Sequence, residues 1–204
     1  IIRFHAIYWI AFLLSAGLLL PKSLFVHGYL TIEGKKMSKT LGNVIDPFTL
    51  INKYGTDAVR YYLLREIPPF NDGDYSESRM KELYSSDLAN ELGNIVMRIT
   101  TLAEKDGLII LTENRSIYSK QQEELFGTFQ FNIILEQIWE DIKSINKQIN
   151  DFEPWNKTSG ERKEFLIQVL QKLHLIGQQL FPFIPSTAEK IMHSTQGTIS
   201  KIAP

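Results

Sequence analysis

The sequence contains no cysteine, which excludes a disulfide framework and a thiolate metal site. Histidine is scarce, and its four positions lack the spacing of metal ligands: His5, His27, His174 and His193. We therefore expect no metal site in this chain. Neither sign of charge dominates, because 22 Lys and Arg residues oppose 23 Asp and Glu residues. This balance argues against a general polyanion binder, so any nucleic-acid contact must be local.

The sequence also lacks an apolar run preceded by a basic leader, as a signal peptide would have. The apolar stretch from Ile7 to Leu20 is broken near Gly17 and ends at Pro21. It favours a buried helix over about Phe4 to Ser15, and we expect a cytoplasmic protein with no membrane partner. Because Ile1 is not an initiator methionine and leads straight into apolar sequence, we expect a fragment that begins inside a domain.

The next elements are predicted from local signals. Aromatic and β-branched residues over Ser23 to Ile32 predict a strand region that leads into a lysine-rich loop. Asp46-Pro47 predicts the start of a short helix, with the aspartate as N-cap and the proline in the first turn. Gly55 would end this helix, and Thr56-Asp57 would cap the one that follows.

A cluster of helix-breaking residues over Ile67 to Asp74 marks the best internal boundary. It divides the chain into residues 1–70 and 71–204. Segments with helical periodicity follow it: Ser76 to about Lys105, Ser119 to Asn150, Arg162 to Leu180, and a short helix after Pro185. No strand signal of comparable strength appears after Pro69, although Leu108 to Leu111 is a short apolar run. The chain is therefore predicted to be mainly α, with a helical bundle after residue 70.

The lysine-rich loop, Gly34 to Asn43, is the most informative segment. It places Lys35, Lys36 and Lys39 within five residues, puts hydroxyl groups beside Lys39, and has glycines near both ends. A mobile, cationic loop suits a triphosphate whose charge is stabilised only during reaction. The alternative is a solvated basic turn after a strand. The complete ten-residue string, with a strand before it and a capped helix after it, favours the phosphate interpretation.

This string resembles the KMSKS signature loop of class I aminoacyl-tRNA synthetases. Together with Phe25 to Tyr29 and Tyr54 to Leu63, it is similar to the methionyl-tRNA synthetases in particular, and the resemblance extends from Ile1 to about Met192. It implies a methionine–tRNA ligase that uses ATP with Mg²⁺ as substrate. Residues 1–70 would be the C-terminal remnant of a Rossmann-like α/β catalytic domain, and residues 71–204 an α-helical anticodon-binding domain. Without the family's HIGH-type motif, the fragment is expected to be inactive by itself.

The resemblance also implies roles for particular residues. ATP would be bound by Lys36, Met37, Ser38, Lys39 and Thr40, with Lys36 and Lys39 catalytic. Thr40 stands where the signature usually has serine, so the hydroxyl is kept. Ile1, His5 and Trp9 share one helix face by their four-residue spacing. The spacing alone favours a core face, whereas the resemblance implies the methionine pocket.

In the second part, Asn90, Asn94 and Arg98 are spaced to form one polar stripe on an α-helix. Trp155 follows Pro154 in a polar connection, where its ring could stack on an unpaired base. By themselves the stripe fits an exposed helix face and the tryptophan fits a plug at the end of a bundle. The resemblance implies that all four residues contact the CAU anticodon of tRNA(Met).

Two other functions stay open: a non-catalytic tRNA-binding module with a vestigial loop, and a related synthetase for leucine, isoleucine, valine or cysteine. Other features have plainer explanations. Trp139 lies among apolar residues and is predicted to be core, and Phe181 to Pro185 is predicted to form a corner. Glu123-Glu124 and Glu161 to Glu164 are interpreted as solvated faces.

Overall fold

The computed structural model describes residues 1–38, 40, 42–111 and 116–201, which are mainly helical, as predicted. Helix α1 is a π-helix over Phe4–Tyr8 and an α-helix over Trp9–Ser15. The others are α2 (Pro47–Tyr54), α3 (Thr56–Glu66), α4 (Glu77–Leu83), α5 (Asn94–Lys105), α6 (Lys120–Gly127), α7 (Phe131–Phe152), α8 (Ser159–Leu180) and α9 (Pro185–Ser194). A π-helix over Tyr84–Gly93 joins α4 to α5, and a 3₁₀ turn over Pro154–Asn156 joins α7 to α8. The strands are β1 (Leu30–Ile32), β2 (Lys35–Lys36), β3 (Gly73–Tyr75), β4 (Ile109–Ile110) and β5 (Gly197–Thr198).

The core lies mainly among helices α3, α5, α7, α8 and α9. Isoleucines recur every three or four residues along α7 and give it one continuous apolar face: Ile134, Ile138, Ile142, Ile145 and Ile149. All five are buried, and each contributes about 1.5–3 kcal/mol by leaving water. Trp139, 2% exposed, is core as predicted. Within the described residues, no helix has the length and apolarity to cross a membrane.

A three-stranded sheet supports the lysine-rich loop. β1 lies between antiparallel β2 and parallel β3, with Thr31 opposite Asp74. Of the strand region predicted over Ser23 to Ile32, only the last three residues form a strand, and β3 begins inside the segment interpreted as helix-breaking. Gly28 permits this pairing, because a Cβ there would lie 2.1 Å from the Asn71 carbonyl oxygen. A second pair, β4 and β5, includes part of the predicted apolar run at Leu108 to Leu111.

Helix α1 forms where it was predicted but is not buried. None of its residues is buried, and Phe12 is 70% exposed while Trp9 is 41% exposed. Helical periodicity specifies an apolar face, whereas burial also requires a surface that covers it. The expectation of a buried helix is therefore wrong for this chain.

The predicted caps have mixed outcomes. Asp46 Oδ1 accepts a hydrogen bond from the Phe48 amide at 3.2 Å, which confirms the N-cap of α2. Gly55 ends α2 with a φ of 84° and is itself the N-cap of α3. The predicted cap at Thr56-Asp57 is wrong. Asp57 Oδ2 instead accepts from the Thr187 amide at 2.6 Å, so it bonds a free N–H group in the first turn of α9.

Candidate functional site

The lysine-rich loop begins as a β-hairpin. A two-residue turn, Glu33-Gly34, joins β1 to β2 and pairs Ile32 with Lys35. Both turn residues have positive φ, 51° and 73°, as a type I′ hairpin requires. Lys35 and Lys36, which fall within the loop predicted over Gly34 to Asn43, therefore lie on strand β2.

Asn43 closes the loop from within. Its Oδ1 accepts from the Ser38 amide at 2.8 Å, and its Nδ2 donates to the Lys36 carbonyl at 3.2 Å. Met37 and Ser38 are half-buried beneath this closure, whereas Thr40 is exposed. Lys39, predicted to contact ATP, lies outside the described residues. Sequence reasoning missed the role of Asn43, although its side chain can bond both ends of such a loop.

The Lys36 ammonium group lies over an aromatic ring at the start of the loop. Its Nζ is 4.9 Å from the centroid of the Tyr29 ring. At an exposed site this contact is worth about 0.5–1 kcal/mol. The contact is therefore too weak to fix the position of the Lys36 side chain.

Strand β3 holds the hairpin from its other side. Asp74 Oδ1 accepts from the Thr31 hydroxyl at 2.6 Å and from the Gly34 amide at 2.8 Å. The Tyr75 carbonyl accepts from the Glu33 amide at 3.2 Å, so both turn residues are bonded to β3. The position of the loop is consequently set by a segment some 40 residues further along the chain.

Glu77, at the start of α4, ties this sheet to the helices. It accepts from the Lys53 ammonium group, from the Tyr54 hydroxyl at 2.6 Å and from the Tyr75 hydroxyl at 2.5 Å. The hydrogen bond from Lys53 is the main reason that the pKa of Glu77 falls to about 2. The carboxylate is therefore charged at neutral pH and links α2, β3 and α4.

A cavity of about 900 Å³ lies between α1 and the segment before β1. Ile1 and His5 line it together with Phe25 and Tyr29, but Trp9 does not line it. His5 Nδ1 donates to the Ile1 carbonyl at 3.0 Å, so a neutral ring presents Nε2 as an acceptor. The structure thus brings two of the three predicted pocket residues to one cavity. Within the described ranges, no cluster of side chains is suited to hold a metal ion.

The predicted polar stripe crosses a change of helix type. Asn90 lies in the π-helix Tyr84–Gly93, and Asn94 is the first residue of α5. The expectation of one regular α-helix through this region is therefore wrong. Asn90 and Asn94 are both exposed, and both border a cavity of about 760 Å³ that Lys190 of α9 also lines.

Arg98 and Trp155 meet although 56 residues separate them in the chain. The Arg98 guanidinium carbon is 4.5 Å from the centroid of the Trp155 ring, within the range of a cation–π contact. Trp155 is 42% exposed, so its ring does not fill the end of the bundle as a plug would. Trp155 therefore keeps part of its surface open to solvent beside Arg98.

A buried ion pair fixes the turn that carries Trp155. Arg162 donates to both oxygens of Asp106 at 2.7 Å, and its Nη1 donates to the carbonyls of Pro154 at 3.3 Å and Lys157 at 3.1 Å. The Arg162 side chain is 7% exposed, so the interpretation of this residue as part of a solvated face is wrong. Since Asp106 directly follows α5, the pair connects the helix of Arg98 to the turn of Trp155.

Comparison with known proteins identifies relatives over almost the whole chain. Residues 1–100 match the family model described as tRNA synthetases class I (M). The methionine–tRNA ligase of Thermotoga maritima is 38% identical over 93% of this chain, and that of Clostridium acetobutylicum is 40% identical over 94%. These matches cover 33% and 32% of the relatives, so the chain spans about a third of their length.

Solved structures agree with the sequence matches. The structure of Mycobacterium tuberculosis methionyl-tRNA synthetase in complex with methionyl-adenylate superposes with a TM-score of 0.78 at 33% identity. The match covers 95% of this chain and 42% of that one. The apo form of the same enzyme gives a TM-score of 0.73 at 30% identity, with 95% and 41% covered. Sequence and fold together show that the chain belongs to the methionyl-tRNA synthetase family of class I.

Proposed function

We propose that this chain contributes to a methionine–tRNA ligase, which activates methionine with ATP and transfers it to tRNA(Met). The observation that carries this proposal is the 38–40% identity to methionine–tRNA ligases over more than nine tenths of the chain. A structural relative binds methionyl-adenylate, the product of the activation step. Within such an enzyme, residues 1–70 complete a Rossmann-like catalytic domain, and residues 71–204 form the anticodon-binding bundle. We expect this enzyme to act in the cytoplasm.

The lysine-rich loop supports the activation step. The methionine carboxylate attacks the α-phosphate of ATP and expels pyrophosphate, so the barrier is largely one of charge and positioning. Lys36 and Lys39 hold the β- and γ-phosphates as charge moves to the leaving group, and Mg²⁺ enters with ATP as part of the substrate. Met37, Ser38 and Thr40 complete the ATP contacts. The exposure of Lys36 and its weak contact with Tyr29 support this role.

Methionine occupies the cavity beside α1 in this proposal. An apolar wall with few polar groups suits a flexible thioether side chain. Ile1 and Phe25 supply apolar surface, and His5 supplies a polar atom whose orientation the Ile1 carbonyl fixes. Trp9 does not line the cavity, and its place at the border of the methionine pocket rests on the family resemblance alone.

The Asn90–Asn94–Arg98 stripe and Trp155 read the CAU anticodon. Two amides can bond the edges of unpaired bases, and a tryptophan ring can stack on a base face. The 4.5 Å approach of Arg98 to Trp155 supports this role, because it places a stacking surface beside a donor of several hydrogen bonds.

The test is amino-acid-dependent exchange of pyrophosphate into ATP, in an enzyme of the relatives' full length that contains this chain. Methionine should support exchange, whereas leucine, isoleucine, valine and cysteine should not. Exchange with one of these four instead would refute the methionine assignment. Binding of tRNA with no exchange for any amino acid would identify a non-catalytic binding module.

A further inference from the structure

The turn at the base of the lysine-rich loop is bonded to one acidic side chain, Asp74. We infer that Asp74 is a positioning residue for adenylate formation, which holds the hairpin so that the loop lysines lie in their reactive place. This inference rests on the proposed ligase function. Asp74 itself touches neither ATP nor methionine, and it acts through Gly34 and Thr31.

A single carboxylate oxygen makes both contacts. Asp74 Oδ1 accepts from the Thr31 hydroxyl on β1 and from the Gly34 amide in the turn. The Thr31 hydroxyl also lies 3.2 Å from the Gly73 carbonyl, so it bridges β1 and β3. The two donors are three residues apart on opposite sides of the Glu33 bend. One acceptor between them therefore fixes both the end of β1 and the direction of the turn.

The hairpin needs this support because it is very short. β1 has three residues and β2 has two, and an isolated two-stranded hairpin is marginally stable at best. Lys36 is only two residues beyond Gly34, so a rotation of the turn moves Lys36 directly. Asn43 bonds the Lys36 carbonyl, and the same rotation therefore reaches the closure of the loop.

Loss of the acceptor should slow chemistry more than it weakens binding. Misplacement of a reacting group by about 1 Å costs on the order of 100-fold in rate. Methionine affinity should change little, because neither Ile1, which precedes α1, nor His5 of α1 is bonded to Asp74 in the described contacts.

The experiment compares Asp74→Ala with Asp74→Asn in the full-length enzyme, by methionine-dependent pyrophosphate exchange. The alanine variant should lose about 10- to 100-fold in kcat with an unchanged KM for methionine. The asparagine variant should stay within about threefold of wild type, because its Oδ1 still accepts from both donors. Thr31→Val should show a smaller loss than Asp74→Ala. Asp151→Ala, at an exposed position on α7, controls for the loss of one negative charge.

Amide hydrogen exchange of the peptide over residues 30–36 provides a second readout. Exchange should accelerate in Asp74→Ala and not in Asp74→Asn. The inference would be overturned by a wild-type kcat in Asp74→Ala or by equal losses of kcat in both variants. It would also be overturned by unchanged amide exchange in Asp74→Ala. A rise in the KM for methionine in Asp74→Ala, accompanied by a comparable loss of thermal stability, would indicate a merely structural role for Asp74. That result would also overturn the inference. Failure of the proposed function is separate, because it appears as absent exchange in the wild-type enzyme.

Discussion

Replacement of Arg162 by methionine should be among the most destabilising single changes in the chain. The change keeps an unbranched apolar side chain but removes four hydrogen bonds, two to Asp106 and two to the carbonyls of Pro154 and Lys157. It also leaves the Asp106 carboxylate without its cation in a site where that side chain is 3% exposed.

The expected cost follows from this burial. Removal of one partner from a buried ion pair costs about 3–5 kcal/mol, because the remaining charge is uncompensated. That is a large share of a typical stability of about 5–15 kcal/mol. Urea unfolding of the chain, followed by circular dichroism, measures the loss. The matched control is Arg79→Met, since Arg79 bonds the carboxylates of Glu66 and Glu82 at 3.0 Å but its side chain is 40% exposed. Each surface pair should contribute no more than about 1 kcal/mol.

The loss should also depend on pH. The hydrogen bond from Arg162 is the main cause of the lowered pKa of Asp106 in the folded chain. The pair therefore contributes fully above the unfolded pKa of about 3.9 and is lost as pH falls through the lower folded value. The difference between wild type and Arg162→Met should shrink over that range. Equal losses for Arg162→Met and Arg79→Met at neutral pH would refute the reasoning.

Three further predictions concern the loop, the anticodon surface and Glu77. Lys39→Ala should slow adenylate formation on the order of 100-fold with methionine affinity nearly unchanged, and pyrophosphate exchange at the wild-type rate would contradict this. Trp155→Ala should weaken aminoacylation of a CAU-anticodon tRNA by about 1–3 kcal/mol and spare exchange. Phe181→Ala, at another exposed aromatic residue, should change neither, and loss of both activities in Trp155→Ala would favour a structural role. Glu77→Gln should lose less stability than wild type between pH 5 and pH 2, because the pKa of Glu77 is about 2 in the folded chain and about 4.3 in the unfolded chain. Parallel pH profiles of the denaturation midpoint in the two proteins would argue against that assignment.

Local signals in the sequence predicted local structure well. Asp46 and Pro47 start α2 because a side-chain acceptor and a fixed φ act within one helical turn. The apolar spacing around Trp139 likewise predicted its burial. Asp57 failed the same test, since its carboxylate bonds Thr187 in a helix 130 residues away. The type of a capping residue indicates that its side chain can accept a hydrogen bond. It does not indicate which helix supplies the donor.

For the candidate site, the sequence likewise predicted the contiguous residues and missed the residues that support them from distant segments. The lysine string, with its glycines and hydroxyls, indicated a candidate phosphate-binding loop because its residues are contiguous. The supports of the site were not visible. Asp74 lies in a segment that resembles a simple chain break, and Arg162 lies in a charged run that resembles a solvated face. Each contacts a residue 40 or more positions away, so its role depends on how distant segments pack.

By itself, the sequence determined the mainly helical character, the position of most helices and the cationic composition of the lysine-rich loop. These depend on residue type and short-range spacing, which the chain carries directly. Only the tertiary structure decided that Arg98 lies against Trp155, that Asp74 holds the turn at Gly34, and that α1 leaves its apolar face exposed. Such contacts depend on which surfaces meet after the chain folds, and a side chain's neighbours across 40 or more residues are not encoded in its local pattern.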